Sequence, residues 1–267
     1  MLVPFQRETL DGPLFAGHSV RFNLLYRISE GELATALQAE DGGAVALQTP
    51  GRTLWLWINP ERSAEYSGSV ICGLVERLTD KAIPAMTAAP EHAVLFARAY
   101  SKMSGRAHKL HFRLMAYHCP QVRFPSGVSG SIERAGECHA ETVAELYFGF
   151  NQEIFGTHED RDDMLEAALA MIRAGSLFLW NVNGKTVSMA AIAHRTSRLA
   201  RVNAVFTAAE QRKKGYASAL VATVSQMALD EGLMPMLYAD MSNPDSNKVY
   251  CSLGYISSGE IDEYSFV

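Results

Sequence analysis

Hydrophobic and polar positions in the C-terminal half of the chain alternate between strand-like and helix-like spacing. Strands are predicted over residues 131–134, 177–182, 186–193, 199–206 and 236–239, with a last strand through the tail, and helices over residues 138–150, 161–174, 215–230 and 244–253. In the helix 215–230, Leu220, Val224 and Met227 form one apolar stripe. The dipeptide Asn183-Gly184 between two strands favours a two-residue hairpin turn, and therefore predicts antiparallel pairing.

The first 120 or so residues mix strand-like and helical runs and carry no chemical motif. Strands are predicted over residues 44–48, 53–58, 69–74 and 110–117, and a helix over residues 91–103. Prolines and glycines concentrate in residues 120–130, where a connection is expected. The pattern predicts two α+β domains, residues 1–125 and 126–267, the second a sandwich of a mixed sheet and a few helices.

Composition and charge argue against several classes of function for this protein. A chain of 267 residues with 48% hydrophobic and 20% charged residues is typical of a compact globular protein. The net charge of −5 argues against general nucleic-acid binding. No apolar run approaches the roughly 18 residues that span a bilayer, so no membrane insertion is expected. The four cysteines lack metal-type spacing and the N-terminus lacks a secretory pattern, which predicts reduced thiols in the cytoplasm and no metal site.

The segment AAEQRKKGYASAL, between a predicted strand and a predicted helix, is a candidate phosphate-binding loop. Backbone N–H groups at a helix N-terminus stabilise a phosphate, and Gly215 and Ala217 let the backbone approach it closely. Arg212, Lys213 and Lys214 add positive charge. A basic solvated turn before an ordinary amphipathic helix has the same local pattern, so the loop alone leaves both interpretations open.

The segment NPDSNKVYCSLGY is a candidate wall of an active site. Asn243 suits a helix N-cap, and Pro244 suits the first helical position. Asn247, Tyr250 and Cys251 are then separated by three and four residues, which predicts a shared helix face. In the alternative interpretation, Tyr250 and Cys251 pack beneath the sheet and Asn247 is solvated.

These two segments and the strand between them resemble the GCN5-related N-acetyltransferase (GNAT) superfamily. The resemblance covers about half of the chain and is strongest over residues 202–255. It implies a GNAT-type mixed, mostly antiparallel sheet flanked by helices. It also implies that residues 1–125 are a degenerate copy of this fold, which is not expected to bind the cofactor because it lacks an R-x-x-G-x-G/A turn.

The resemblance implies N-acetyl transfer from acetyl-coenzyme A to a primary amine of a small molecule or peptide by direct attack. The turn from Arg212 to Ala217 would cradle the pyrophosphate, and Tyr250 would act as the catalytic acid that protonates the departing thiolate. The expected cofactor-binding residues are Val205, Phe206, Thr207, Arg212, Lys213, Lys214, Gly215, Tyr216, Ala217, Ser218, Asn243, Ser246, Asn247 and Tyr250.

Several questions stay open at the level of sequence. The predicted strand 199–206 carries no carboxylate, so Glu153 (in an expected loop), His194 and Asp240 are the candidate general bases. Transfer of a longer acyl group, acylation of a hydroxyl, and a non-catalytic acyl-coenzyme A sensor or scaffold are the alternative functions. The oligomeric state is not specified, and a homodimer is among the options.

Overall fold

The computed structural model describes residues 1–156 and 160–267, which form twelve strands and eight α-helices. The strands are β1 (Leu2–Pro4), β2 (Thr35–Ala39), β3 (Ala44–Gln48), β4 (Leu54–Ile58), β5 (Ala85–Ala88), β6 (His108–His118), β7 (Ser131–Arg134), β8 (Leu177–Val182), β9 (Lys185–Arg195), β10 (Leu199–Thr207), β11 (Met234–Asp240) and β12 (Ile256–Phe266). The helices are α1 (Pro13–Ala16), α2 (Leu24–Ser29), α3 (Ala64–Leu78), α4 (Pro90–Ser104), α5 (Ala140–Phe155), α6 (Arg161–Arg173), α7 (Tyr216–Asp230) and α8 (Pro244–Ser252). In this part of the chain, no helix combines the length and apolar character needed to cross a membrane.

Backbone proximity divides the chain into two compact units. The first comprises Met1–Tyr117, Ala239–Pro244 and Ser257–Val267, and the second comprises His118–Tyr238 and Asp245–Ile256. Almost all of the C-terminal strand β12 therefore belongs to the first unit. The division into domains 1–125 and 126–267 stays a prediction.

The first unit is built on strands in the order β1-β2-β3-β4-β5-β12-β6. β4 pairs in parallel with β5, which pairs in antiparallel fashion with β12. All five residues of β4 are buried, as expected for a strand that is covered on both faces. Its side chains Leu54, Leu56 and Ile58 pack in one core with apolar residues of α3 and α4, among them Leu74 and Phe96.

The strand predicted over residues 69–74 is wrong, because these residues lie inside α3. A short apolar run does not distinguish a strand from a buried helix segment. The deciding signal lies upstream, where the Ser63 hydroxyl accepts a hydrogen bond from the Tyr66 N–H at 3.2 Å and caps the helix. The buried positions then follow helical spacing: Ser67, Val70, Ile71, Leu74, Val75 and Leu78.

The second unit contains strands in the order β11-β10-β9-β8-β7. β7, β8, β9 and β10 pair in antiparallel fashion with their neighbours, and β10 pairs in parallel with β11. The predicted hairpin is confirmed, since Asn183 and Gly184 have φ angles of 51° and 76° and Val182 pairs with Lys185. The predicted α+β fold with a mixed, mostly antiparallel sheet flanked by helices is thus confirmed.

Helix α5 is longer than predicted and changes the place of Glu153. The helix continues to Phe155 and ends at Gly156, whose φ of 64° is left-handed and whose N–H bonds to the Gln152 carbonyl at 3.1 Å. A glycine in this conformation is a common helix terminator. Glu153 therefore lies on the last turn of α5, and its placement in a loop was wrong. The remainder of that predicted loop, Thr157, lies outside the described residues.

Both units contain the same succession of elements. In each unit, three consecutive strands are followed by a helix, a fourth strand and a second helix. The fourth strand pairs in parallel with the third. The first unit has β2-β3-β4-α3-β5-α4, and the second has β8-β9-β10-α7-β11-α8. This repetition fits the expectation of a degenerate first copy.

Gly254, which follows α8, is expected to be a stability determinant of the second unit. Its φ is +98°, and a Cβ atom there would overlap the backbone oxygen of Gln121. Gly254→Ala should lower the free energy of unfolding by about 3 kcal/mol, because left-handed strain adds to a clash that no side-chain rotation relieves. Urea denaturation would measure the loss.

The matched control for this variant is Gly175→Ala. Gly175 also has a left-handed φ, +68°, but no atom lies within 4 Å of the position of its Cβ. Only the conformational strain applies there, so the expected loss is about 1 kcal/mol. Equal losses for the two variants would show that the contact with Gln121 contributes nothing.

Candidate functional site

The candidate anion site is the N-terminus of α7. Gly215 is its N-cap, and within the described residues no side chain caps the helix. N–H groups in the first turn of a helix have no intrahelical partner, so those of Tyr216, Ala217 and Ser218 are available to an anion. The first turn also contains no acidic side chain that would oppose one.

Glycine at position 215 is required by both backbone conformation and space. Its φ is +83°, in the left-handed region that side chains disfavour. A Cβ atom there would lie 2.9 Å from Cγ2 of Val128. The close approach of the backbone to a phosphate, which the sequence suggested for Gly215, stays a prediction.

The three cations of the loop differ in their surroundings. Lys213 and Lys214 are exposed, and the Lys214 ammonium donates to Oε1 of Gln211 at 2.9 Å. The Arg212 guanidinium instead forms two bonds to the Glu153 carboxylate, at 3.2 and 2.5 Å. The two lysines thus present their charges to solvent, whereas that of Arg212 is neutralised by Glu153.

Strand β10 is irregular where the cofactor is expected to lie. Its described ladder with β11 ends at the pair Arg201 and Met236. Its ladder with β9 is shifted between Asn203 and Phe206, and Ala204 there has a φ of +50°. Such a bulge turns backbone groups away from the sheet ladder. The predicted contact residue Val205 lies within this bulge.

The two residues after the bulge already have partners on their backbone oxygens. The Ser188 hydroxyl donates to the Phe206 carbonyl at 2.7 Å, and Nε of Arg212 donates to the Thr207 carbonyl at 3.1 Å. Each of these two carbonyls therefore already accepts one hydrogen bond from a side chain.

Helix α8 begins at Pro244, as predicted, and carries the proposed acid Tyr250. Tyr250 is 9% exposed, and its ring meets that of Tyr255 edge-on at 5.8 Å. Burial raises the pKa of Tyr250 to about 12, which keeps the hydroxyl protonated at neutral pH. The shared face predicted for Tyr250 and Cys251 is wrong, because Cys251 is exposed: adjacent helix positions diverge by about 100°.

The other predicted residues around α8 have distinct environments. Ser246 and Asn247 are half-buried on the second unit's part of the helix. Asn243 belongs to the segment Ala239–Pro244 of the first unit, where its N–H donates to the Asp240 carbonyl at 3.1 Å. Within the second unit, the structure thus brings Ser246, Asn247 and Tyr250 onto one helix.

The three candidate bases are all occupied or remote from the bulge. Both oxygens of the Glu153 carboxylate accept hydrogen bonds from Arg212. The Asp240 carboxylate accepts a hydrogen bond from the Ser242 N–H at 2.8 Å. His194 of β9 pairs with Arg201 of β10, whereas the bulge lies opposite residues 189–191, so His194 lies about 10–17 Å along the strand from the bulge.

Two pairs of polar side chains could not be found from sequence. The partners Arg212 and Glu153 are 59 positions apart. In the first unit, Nδ1 of His111 lies 3.1 Å from Oε1 of Glu263, a residue 152 positions away. No local pattern signals such pairs, because packing alone brings them together. Among the described residues, no group of three or more His, Cys, Asp or Glu side chains could hold a metal ion.

The segment that contains these elements matches a known protein family. Residues 140–255 fit the family model described as "Acetyltransferase (GNAT) family". These residues form a GNAT-family acetyltransferase domain. The acetyltransferase domain includes the β10 bulge, the N-terminus of α7 and Tyr250, and membership of this family makes it an acyltransferase. The resemblance seen over residues 202–255 is thereby confirmed.

Solved structures extend the fold comparison beyond the acetyltransferase domain. A Drosophila protein is 13% identical with a TM-score of 0.66, covering 100% of this chain and 98% of that chain. A GCN5-related N-acetyltransferase from Sphaerobacter thermophilus is 14% identical with a TM-score of 0.62, covering 99% and 94%. An acetyltransferase of the GNAT family from Colwellia psychrerythraea is 11% identical with a TM-score of 0.59, covering 100% of both chains. At these identities the likeness concerns the fold, and it includes the first unit. No curated protein matches the chain.

Proposed function

We propose that the acetyltransferase domain transfers an acetyl group from acetyl-coenzyme A to a primary amine of a small molecule or peptide. The observation that supports this most directly is the N-terminus of α7. There, uncapped N–H groups, a left-handed Gly215 and two solvent-facing lysines form a site suited to a diphosphate.

The cofactor would be held by three elements of the domain. The N–H groups of Tyr216, Ala217 and Ser218 would bind the pyrophosphate, and Lys213 and Lys214 would add attraction at longer range. The backbone of Val205, in the bulge, and of the next two residues, Phe206 and Thr207, would contact the pantetheine. Ser246, Asn247 and Tyr250 on α8 complete the set. The contact expected from Asn243 stays a prediction.

The chemistry divides between the cofactor and the chain. Bound acetyl-coenzyme A supplies an activated acetyl thioester, which an amine can attack directly. The Val205 N–H would donate a hydrogen bond to the thioester oxygen as negative charge develops there. Tyr250 would donate its phenolic proton to the departing sulfur. Holding the amine and the thioester close together in a reactive orientation would further increase the rate of transfer. The base that accepts the proton of the amine is not assigned.

Calorimetric titration of the whole chain with acetyl-coenzyme A tests this function. We expect binding to one site. A thiol-release assay should then detect turnover with at least one amine from a panel of polyamines, arylalkylamines and peptide N-termini. Binding of acetyl-coenzyme A without release of its thiol in the presence of any of these amines would favour the non-catalytic sensor or scaffold. Absence of binding would contradict the proposal.

A further inference from the structure

The Arg212 side chain is held at the corner between β10 and α7 by three groups. Its guanidinium bonds to the Glu153 carboxylate through both terminal nitrogens, and its Nε donates to the Thr207 carbonyl at 3.1 Å. The same group lies 5.3 Å from the centroid of the Phe206 ring. The arginine of the loop is therefore directed toward α5 in this structure.

Helix α5 meets this corner along its last two turns. A Cβ atom at Gly149 would lie 2.7 Å from Cζ of Phe206, so the helix backbone packs closely against that ring. One turn further on, Glu153 reaches Arg212. The helix thus contacts β10 through the packing of Gly149 on Phe206, and contacts the loop through the ion pair between Glu153 and Arg212.

The ion pair is well formed but exposed enough to exchange partners. The relative exposure of the side chains is 40% for Arg212 and 49% for Glu153. Exposed pairs of this kind are weak because water screens them, whereas a diphosphate offers more negative charge and also meets the N–H groups of α7. A diphosphate at the start of α7 would therefore compete with Glu153 for Arg212.

We propose that Glu153 is a positioning residue that competes with the cofactor diphosphate for Arg212, so that cofactor binding breaks the ion pair between α5 and the loop. This inference rests on the proposed function, because it requires the diphosphate to bind at α7. It assigns to Glu153 a role in cofactor affinity and leaves the general base open. It also predicts that the charge of Arg212 becomes available to the cofactor only when the pair opens.

The test compares dissociation constants for acetyl-coenzyme A, measured by calorimetry at low ionic strength. Glu153→Gln should bind about twofold to fivefold more tightly than the unchanged chain, the range set by the strength of an exposed ion pair. Glu210→Gln is the matched control. Glu210 lies two residues before Arg212 in the same loop but faces Lys185 at 3.8 Å, and removal of its charge should leave the constant within about twofold.

A double-variant cycle separates competition from simple repulsion between Glu153 and the diphosphate. In an Arg212→Gln background, Glu153→Gln should not change the dissociation constant further, because the guanidinium for which Glu153 and the diphosphate compete is absent. Affinity for S-acetylpantetheine, which lacks the diphosphate, should not respond to Glu153→Gln in either background.

Each other outcome overturns the inference. Unchanged or weaker binding by Glu153→Gln, while the unchanged chain still binds, would refute competition and spare the proposed function. An equal gain in Glu210→Gln, or a gain that persists without Arg212, would show general charge repulsion. Absence of acetyl-coenzyme A binding in every variant would refute both proposals together.

Discussion

Tyr250→Phe is expected to lower kcat for acetyl transfer by about 100-fold while changing the dissociation constant for acetyl-coenzyme A by less than about twofold, since positioned acids contribute at least this much. The substitution removes only the hydroxyl. The ring keeps its burial and its edge-on contact with Tyr255 at 5.8 Å. Thiol release at saturating amine would give kcat, and calorimetry would give the dissociation constant.

Tyr255→Phe is the matched control for this prediction. Tyr255 is buried nearby, and its hydroxyl lies 2.7 Å from that of Ser225. Loss of that hydrogen bond should lower the free energy of unfolding by about 1 kcal/mol and leave kcat within about twofold. Unchanged kcat in Tyr250→Phe would remove Tyr250 from the mechanism.

The pH dependence gives a second check on Tyr250. Burial disfavours the charged phenolate and raises its pKa to about 12, so the proton is retained as the pH rises through the ordinary tyrosine range. We therefore expect no loss of kcat from ionisation of Tyr250 between about pH 7 and pH 10. A fall near pH 10 that disappears in Tyr250→Phe would show that Tyr250 ionises in the ordinary tyrosine range, and would contradict the raised pKa.

Gly215→Glu is expected to raise the dissociation constant for acetyl-coenzyme A by about 100-fold or more, because charge-assisted hydrogen bonds to the diphosphate are lost. A side chain at this φ of +83° is strained, and its Cβ would lie 2.9 Å from Cγ2 of Val128. The added carboxylate would also lie where the helix N-terminus attracts an anion. Calorimetric titration would measure the change.

Gly232→Glu at the other end of α7 provides the control. Gly232 has a similar φ of +76°, and no atom lies within 4 Å of the position of its Cβ. The Gly232→Glu variant should have the same conformational strain, which lowers the free energy of unfolding by about 1–2 kcal/mol, and unchanged affinity for the cofactor. Similar dissociation constants for the two variants would place the diphosphate elsewhere.

Features that depend on a few neighbouring residues could be predicted. Asn183-Gly184 predicts its hairpin because both residues tolerate left-handed backbone conformations. Pro244 predicts the start of α8 because a proline needs no N–H partner in the first helical turn.

The errors arose where one local pattern was compatible with two structures. The apolar run over residues 69–74 suits a strand or a buried helix, and the cap at Ser63 selects the helix. The helix α5 was ended too early at Phe150, because its terminator is Gly156. The spacing of Tyr250 and Cys251 did not show which of the two is buried, since that depends on what packs against α8.

By itself the sequence determined the backbone chemistry of the candidate site and its family resemblance, because the loop and α8 are short segments with local preferences. Only the tertiary structure decided which charges meet. Arg212 was expected to face the pyrophosphate, but it is paired with Glu153, 59 positions away, since α5 packs against Phe206. The bulge at Ala204 and the assignment of β12 to the first unit likewise depend on strand pairing between distant segments, which no local pattern specifies.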